Sequence, residues 1–263
     1  MLTIEALEYR FPGGVQALAG IDLELLGGEL CALVGANGSG KSTLLRLAAL
    51  TLVPQAGRVR VFGRRWRARW KVAARMAWIP QDAGLDPTMT GAEHVQIQAA
   101  LMGLSRRMVA ARMSELVEPL RLGDALGRRV SSYSGGMRQR LHLLLGLIHE
   151  PELLLLDEPT AGLDPEGQAE VWAMLASLAQ RGRGLLVASH DLVEIRGRAT
   201  RMMVLEAGAV VGAGPPAELA EAQDGGLLGA FVRLTGREIR ALGDGDGRAG
   251  GRGRHDPRRR PHA

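Results

Sequence analysis

The sequence predicts an α/β fold in which a buried parallel sheet is accompanied by an antiparallel, β-rich N-terminal part and a helical insertion. Short continuous apolar runs at 30–34, 153–156 and 185–189 have the length of buried strands. Stretches with apolar residues at helical spacing separate these runs. The 263 residues are enough to bury a large core.

The basic charge of the chain lies in two segments and does not describe its main body. The chain has 33 Lys+Arg against 28 Asp+Glu, and its pI is near 10.2, which by itself favours a nucleic-acid or anionic-membrane partner. Segment 58–75 holds eight of the basic side chains and no acid, and 241–263 has six arginines and three aspartates. The rest is acidic, so we expect no nucleic-acid partner.

The single cysteine and the distribution of apolar residues indicate in which cellular compartment the chain is expected. Cys31 lies in the apolar run 30–34, which predicts a small buried hydrophobe and excludes a disulfide framework or a zinc finger. Residues 1–10 include Glu5 and Glu8 and lack the order of a signal peptide. No apolar run approaches the roughly 18–20 residues of a spanning helix. We therefore expect a cytoplasmic chain unless a partner tethers it.

Glycine turns and short apolar runs predict the strands outside the buried core. Residues 2–30 contain short runs broken at 12–14 and 27–28, which is typical of β-structure with turns. The other predicted strands are 58–62, 77–80, 202–205 and 209–211, with the last two paired as a hairpin.

Helical spacing and capping signals predict the helices. Thr90 and Glu93 form a capping box that opens a helical insertion over 90–130. One further helix is predicted directly after the glycine loop at 35–43. The others are 64–77, 137–149, 165–180 and 227–242, and the first of these has an apolar stripe of Trp66, Trp70, Ala73 and Ala77. Residues 243–263 are glycine, arginine, aspartate and proline with almost nothing to bury, and we predict that they are disordered.

A glycine loop joins the strand at 30–34 to the helix that follows it. The loop fits G-x-x-x-x-G-K-[ST] and comprises Gly35, Ala36, Asn37, Gly38, Ser39, Gly40, Lys41, Ser42 and Thr43. Its glycines let backbone N–H groups approach phosphate oxygens, and the helix start adds its positive dipole end. The compact ammonium of Lys41 suits the β- and γ-phosphates, and Ser42 is predicted to bind Mg²⁺.

Two carboxylates follow the buried strand 153–156. In an open parallel sheet, ligands bind at the carboxyl ends of the strands, which is where Asp157 and Glu158 are expected. Asp157 is predicted to hold Mg²⁺ through Ser42 or a water, and Glu158 to orient and deprotonate the attacking water. The alternative is a pair of solvated acids at a strand end.

A second pair of glycines precedes the helix at 137–149. Ser134 is placed to cap that helix, and Gly135 and Gly136 permit close approach of the backbone to an anion. Taken alone, this short motif is better explained by a simple helix cap.

Together, these motifs resemble the ATP-binding cassette (ABC) ATPases over about residues 2–242. The matching positions, in the order of the family, are the phosphate loop 35–43, the Q-loop glutamine Gln81, the signature 133–140, the acidic strand 153–158, the D-loop 161–164 and the switch histidine His190. The signature departs from the commonest form, because Tyr133 replaces Leu and Met137 replaces Gln. Its form, and the ending 230–236, are similar to the drug, lipid, polysaccharide and haem exporter branch.

The resemblance implies a P-loop NTPase core of RecA type, with a nucleotide-binding domain over 1–242, a helical subdomain at about 88–135 and the tail 243–263. It also implies head-to-tail homodimers that sandwich two ATP molecules with Mg²⁺. The resemblance further implies that Ser134, Gly135 and Gly136 contact the γ-phosphate from across the dimer and that Asp164 lies between the two sites. It places Gln81 at the metal or water, and His190 at the γ-phosphate and the attacking water. Phe11 is expected to stack on adenine, with Tyr9 as the fallback.

The function implied by the resemblance is that of an active ATPase subunit that powers export. It would act through a separately encoded membrane permease, at the cytoplasmic face of the membrane. The alternatives are a soluble ABC ATPase in DNA repair, translation or cofactor assembly, and the ATPase of an importer. For the segment 58–75, one hypothesis is a surface near lipid headgroups or the membrane subunit, and the other is a solvated arginine face with Trp66 and Trp70 packed inward.

Overall fold

A computed structural model describes residues 1–81, 84–221 and 226–236, and the side chain of Trp66 lies outside this description. The strands in the described residues are β1 Leu2–Arg10, β2 Gln16–Leu25, β3 Leu30–Val34, β4 Ala56–Val61, β5 Met76–Ile79, β6 Leu153–Asp157, β7 Gly184–Ala188, β8 Arg201–Glu206 and β9 Ala209–Gly214. The α-helices are α1 Lys41–Ala48, α2 Gly91–Leu101, α3 Arg106–Leu116, α4 Gly135–Leu147, α5 Pro165–Gln180, α6 Leu192–Ile195, α7 Pro216–Glu221 and α8 Gly226–Thr235.

The main sheet has the strand order β5-β6-β7-β3-β8-β9. All neighbouring strands are parallel except the edge pair β8 and β9, which is the predicted hairpin. Every residue of β3, β6 and β7 is buried, as expected for strands covered on both faces. The parallel arrangement brings the carboxyl ends of β5, β6, β7 and β3 to one edge, where the phosphate loop and the acidic pair follow directly.

A second, antiparallel sheet of order β2-β1-β4 confirms the predicted N-terminal β-rich part. Its apolar residues join one core cluster with α1 and with Cys31 and Leu33 of β3, while Leu30, Ala32 and Val34 of the same strand join the cluster on the other face. This alternation follows from the period of two in a strand. Burial raises the pKa of the Cys31 thiol to about 12, so the residue is the buried hydrophobe that the sequence predicts.

Helices α2 and α3 form the helical insertion between β5 and α4. The capping box at the start of α2 is present, because Thr90 accepts from the Glu93 N–H while Glu93 accepts from the Thr90 N–H. The boundaries of 88–135 for a helical subdomain and of 1–242 for the domain remain predictions, and the predicted disordered tail 243–263 lies outside the described residues. So do 237–242 of the last predicted helix, whose described part ends at Thr235.

The prediction of one helix over 64–77 is wrong. The structure has two short 3₁₀ helices, Trp66–Lys71 and Ala73–Arg75, and then β5. Ala77 pairs with Leu154 in the parallel ladder, so sheet formation overrides the helical stripe at its C-terminal end.

The side chain of Trp70 is 66% exposed, so the inward packing of tryptophans does not hold at this position. At the end of the same segment, Arg75 pairs with Glu152 and lies 3.8 Å from the Phe62 ring centroid. None of the helices in the described residues combines the length and the hydropathy needed to cross a membrane.

Candidate functional site

A cleft of about 300 Å³ opens where the phosphate loop meets the carboxyl end of β6. The loop contributes six of its predicted residues to the lining: Asn37, Gly38, Gly40, Lys41, Ser42 and Thr43. From outside the loop come Phe11, Gln81, Asp157 and Glu158. Residues that are up to 147 positions apart in the sequence therefore line one cleft, as the motifs predict.

The glycines of the loop are required by its close packing. A Cβ on Gly35 would collide with the carbonyl oxygen of Leu205. Gly40 has φ 110°, and a Cβ on it would lie 2.6 Å from the Ala17 oxygen. Ser39 is buried, and its Oγ has no hydrogen-bond partner in the described part of the chain. The loop is thus a cradle of backbone and small side chains directly before α1, which suits the phosphates of a nucleotide.

Lys41 is buried at the start of α1 and reaches back over the loop. Its Nζ donates to the carbonyl oxygens of Gly35 at 2.7 Å and Ala36 at 3.2 Å. Burial lowers the pKa of the Lys41 ammonium from its ordinary value, and the Glu158 and Asp157 carboxylates act in the opposite direction. The ammonium is therefore held at the loop, close to the acidic pair, without a direct ion pair of its own in the described residues.

Glu158 and His190 form a contact pair at the ends of β6 and β7. Oε2 of Glu158 lies 2.9 Å from Nδ1 of His190, and the Glu158 side chain is 11% exposed against 58% for His190. The Glu158 N–H donates to the Ala188 oxygen at 3.0 Å, which ties the turn after β6 to β7. This arrangement places a carboxylate in the cleft with an imidazole oriented against it, a geometry suited to accepting a proton from water.

The signature residues and Asp164 lie apart from the cleft. Ser134 caps α4 by accepting from the Met137 N–H, and Asp164 caps α5 by accepting from the Gly167 N–H. A Cβ on Gly135 would meet nothing within 4 Å, so this glycine faces open space. None of these residues is among those that line the cleft, and the structure of one chain does not bring them to the phosphate loop.

Comparison with known proteins places the chain in a family. A family model described as ABC transporter matches residues 18–161. The daunorubicin resistance ATP-binding protein DrrA3 of Streptomyces coeruleorubidus is 38% identical over 90% of this chain and 75% of its own length. The chain belongs to the ABC transporter family. The Nod factor export ATP-binding protein I of Rhizobium etli is 36% identical over 79% of this chain and 66% of its own length.

Solved structures confirm the fold of the cassette. The ATP-binding subunit of an ABC transporter covers 89% of this chain and 99% of its own length at 25% identity and a TM-score of 0.82. A dimeric ATP-binding cassette in a post-hydrolysis state, bound to ADP and Pi, covers 82% of this chain and 98% of its own length. The identity is 23% and the TM-score is 0.75, so this likeness concerns the fold alone. The P-loop NTPase fold and the ATP-binding, ATP-hydrolysing nature of the chain are thus as predicted.

The donor atoms around the cassette's cleft fit a magnesium ion. Ser42 offers a hydroxyl, Asp157 a carboxylate and Gln81 an amide oxygen, and hard oxygen donors are what Mg²⁺ prefers. Within the described ranges, no group of three or more His, Cys, Asp or Glu residues could hold a metal by itself. A magnesium ion at this site would therefore share its ligands between these residues and the phosphates.

The two aromatic candidates for adenine stacking occupy different places. Phe11 lines the cleft, whereas Tyr9 packs against the core cluster of the N-terminal sheet. The rings contact each other edge to face, with their centroids 5.1 Å apart and an interplanar angle of 81°. The structure therefore favours Phe11 as the ring available to a nucleotide and Tyr9 as its support.

Replacing Phe11 by alanine tests this assignment. We expect Phe11→Ala to weaken ATP binding by about tenfold, since base–aromatic stacking contributes on the order of 1–3 kcal/mol. Tyr9→Ala is the matched comparison, and its main effect should be a lower melting temperature. Titration of a fluorescent ATP analogue against both variants measures the difference, and equal losses of affinity would remove the distinction.

Sequence reasoning assigned no individual role to three buried polar residues near the cleft, although one of them, Gln139, lies within the signature 133–140. Gln139 of α4 donates to the Pro159 oxygen, and Thr160 donates to Glu194 of α6. The available signal for Gln139 was a polar residue within an otherwise apolar helix, which is costly unless it is hydrogen-bonded. No comparable local signal marks Thr160 or Glu194, because their contact joins distant parts of the chain.

Proposed function

We propose that this chain is the ATPase subunit of an exporter and drives its substrate through a separately encoded membrane-spanning permease. The observation that carries the ATPase part of the proposal is the separation within one chain of a phosphate-binding cleft and an open glycine motif at Gly135. Two copies arranged head to tail would bring the open motif of each to the cleft of the other. Relatives named for daunorubicin resistance and Nod factor export favour export over import or a soluble role.

In this proposal, the cleft residues divide the chemistry of hydrolysis among them. The loop backbone and Lys41 hold the phosphates of ATP, and Ser42, Asp157 and Gln81 hold Mg²⁺, which neutralises phosphate charge. Glu158 orients water and takes its proton, while its neighbour His190 faces the γ-phosphate.

The dimer interface would supply the remaining contacts. Ser134, Gly135 and Gly136, at the start of α4, present backbone N–H groups and the positive end of the helix dipole to the γ-phosphate bound by the other chain. Asp164, which caps α5 in the single chain, lies between the two sites. The ATPase dimer would work at the cytoplasmic face of the membrane, bound to its permease.

Mixing two inactive variants tests whether each site is shared between chains. Lys41→Ala disables the phosphate loop, and Gly135→Asp adds a negative charge to the signature at a position where the fold has room for a side chain. We expect each variant alone to lack ATPase activity. A mixture should recover about a quarter of the wild-type rate, because half of the dimers are mixed and each of those has one intact site.

The control for the added charge is Gly127→Asp. Gly127 also has open space for a Cβ, but it does not line the cleft and is not part of the signature. This variant should keep wild-type activity. No recovery of ATPase activity in an exchanged mixture of Lys41→Ala and Gly135→Asp would contradict the shared site.

A further inference from the structure

The turn after β6 adopts a conformation that needs outside support. Glu158 has φ 50°, a left-handed backbone conformation that a residue with a side chain rarely adopts unless its surroundings hold it there. Within the turn, the Ala161 N–H donates to the Glu158 oxygen at 3.1 Å, and the Glu158 N–H is bonded to Ala188. The direction of the Glu158 carboxylate therefore depends on what fixes the rest of the turn at 158–160.

One support comes from α4. Gln139 is a buried residue of the signature 133–140, and its Nε2 donates to the Pro159 oxygen at 3.0 Å and, more weakly, to the Glu158 oxygen at 3.5 Å. A side-chain amide nitrogen carries two N–H donors, so one group can hold two successive carbonyls. Gln139 thus holds the backbone of the turn by hydrogen bonds at both Glu158 and Pro159.

The other support comes from α6, the helix that follows His190. The Thr160 hydroxyl donates to Oε2 of Glu194 at 3.0 Å, and both residues are buried. The second carboxylate oxygen of Glu194 has no hydrogen-bond partner in the described residues. Since burial of a carboxylate with an unsatisfied oxygen costs stability, packing alone does not account for this residue.

We propose that Gln139 and Glu194 are positioning residues that clamp the turn at 158–160 and thereby aim the Glu158 carboxylate at the attacking water. The proposal rests on the proposed role of Glu158 as the general base. Neither residue lines the cleft, so both act through the backbone of the turn. The two helices that provide them begin at the signature and just after His190, so the clamp joins the turn to both of these elements.

Removing one hydrogen-bond donor at a time tests the clamp. Gln139→Met and Thr160→Val keep the approximate size of the side chains while removing the donors to Pro159 and Glu194. We expect kcat for ATP to fall at least about tenfold in each variant, because a small misplacement of a catalytic group is costly. KM should stay within about twofold of wild type, since the nucleotide contacts remain. Thr160→Ser, which keeps the hydroxyl, should restore kcat.

Thr200→Val is the matched control for a purely structural effect. The Thr200 hydroxyl donates to the Leu30 oxygen and accepts from the Leu30 N–H, at the end of β3 opposite the phosphate loop. This variant should lower the melting temperature while leaving kcat unchanged. If Gln139→Met and Thr160→Val behave as Thr200→Val does, with reduced stability and wild-type kcat, the clamp is wrong.

Adding each change to Glu158→Gln separates the clamp from the proposed function. With the base already removed, neither Gln139→Met nor Thr160→Val should slow the residual rate further. If Glu158→Gln alone keeps the wild-type rate, the assignment of the base fails and the clamp fails with it. If Glu158→Gln is slow but the two clamp variants are fast, only the clamp is overturned.

Discussion

Glu158→Gln is expected to bind ATP normally and to hydrolyse it at least about a hundredfold more slowly, since general base catalysis contributes on the order of 10²–10⁴ in rate. The amide keeps the size of the side chain and can still contact His190, but it cannot accept the proton of the attacking water. Single-turnover hydrolysis of radiolabelled ATP measures the rate, and filter binding of the same nucleotide measures the affinity.

The control for Glu158 is Glu152→Gln. Glu152 is a half-buried glutamate that pairs with Arg75 and does not line the cleft. Its replacement should leave turnover unchanged. A Glu158→Gln variant with turnover near that of the wild type would exclude Glu158 as the base, whatever its contact with His190.

Lys41→Ala is expected to lose nucleotide affinity while keeping its folded structure. The ammonium is already held at the loop by the Gly35 and Ala36 oxygens, so little reorganisation is needed for it to meet a phosphate. We expect ATP binding to weaken by about 30-fold or more, equivalent to about 2 kcal/mol, as for the loss of one member of a buried charge pair. Isothermal titration calorimetry with ATP measures the change.

The chain provides its own control for this experiment, because it has only two lysines. Lys71 is exposed at the end of the first 3₁₀ helix and lies outside the cleft. Lys71→Ala should bind ATP as the wild type does. Equal affinities for the Lys41→Ala variant and the wild type would show that the ammonium does not contribute to nucleotide binding.

Elements with strong local signals were predictable from the sequence. The helix predicted over 165–180 is α5, with the same bounds, because Asp164 caps it and Pro165 suits its first turn. The run of four leucines before Asp157 is β6, since a short apolar run of this kind fits a strand buried on both faces. In both cases, neighbouring residues carry enough information to fix the element.

Elements that depend on distant partners were not predictable. The segment 64–77 has a helical stripe, but its last residues join β5 because Leu154 and its neighbours offer a parallel ladder there. The N-terminal sheet is similar: β1 pairs with β4 at Leu2 and Val61, a contact across most of the first 60 residues that no local pattern specifies.

The same distinction applies to the site. The phosphate loop and Asp157 were expected to meet, because the carboxyl ends of parallel strands share one edge of a sheet. The contacts of Gln139 and Glu194 were not, since they join residues 20 and 34 positions apart through a backbone carbonyl and a threonine hydroxyl. Polar contacts of this kind have no sequence period, so only the three-dimensional packing reveals them.

The start of α4, which carries the signature glycines, packs closely against the D-loop. A Cβ on Gly136 would lie 3.0 Å from the Leu163 side chain and 3.2 Å from the Gly162 oxygen, so a methyl group would fit only if these neighbours shifted by a few tenths of an ångström. A movement of the α4 start would therefore push on the loop before Asp164. In the proposed dimer, the start of α4 faces the nucleotide of one site and Asp164 lies between the sites, so a shift of α4 on ATP binding would also displace the D-loop.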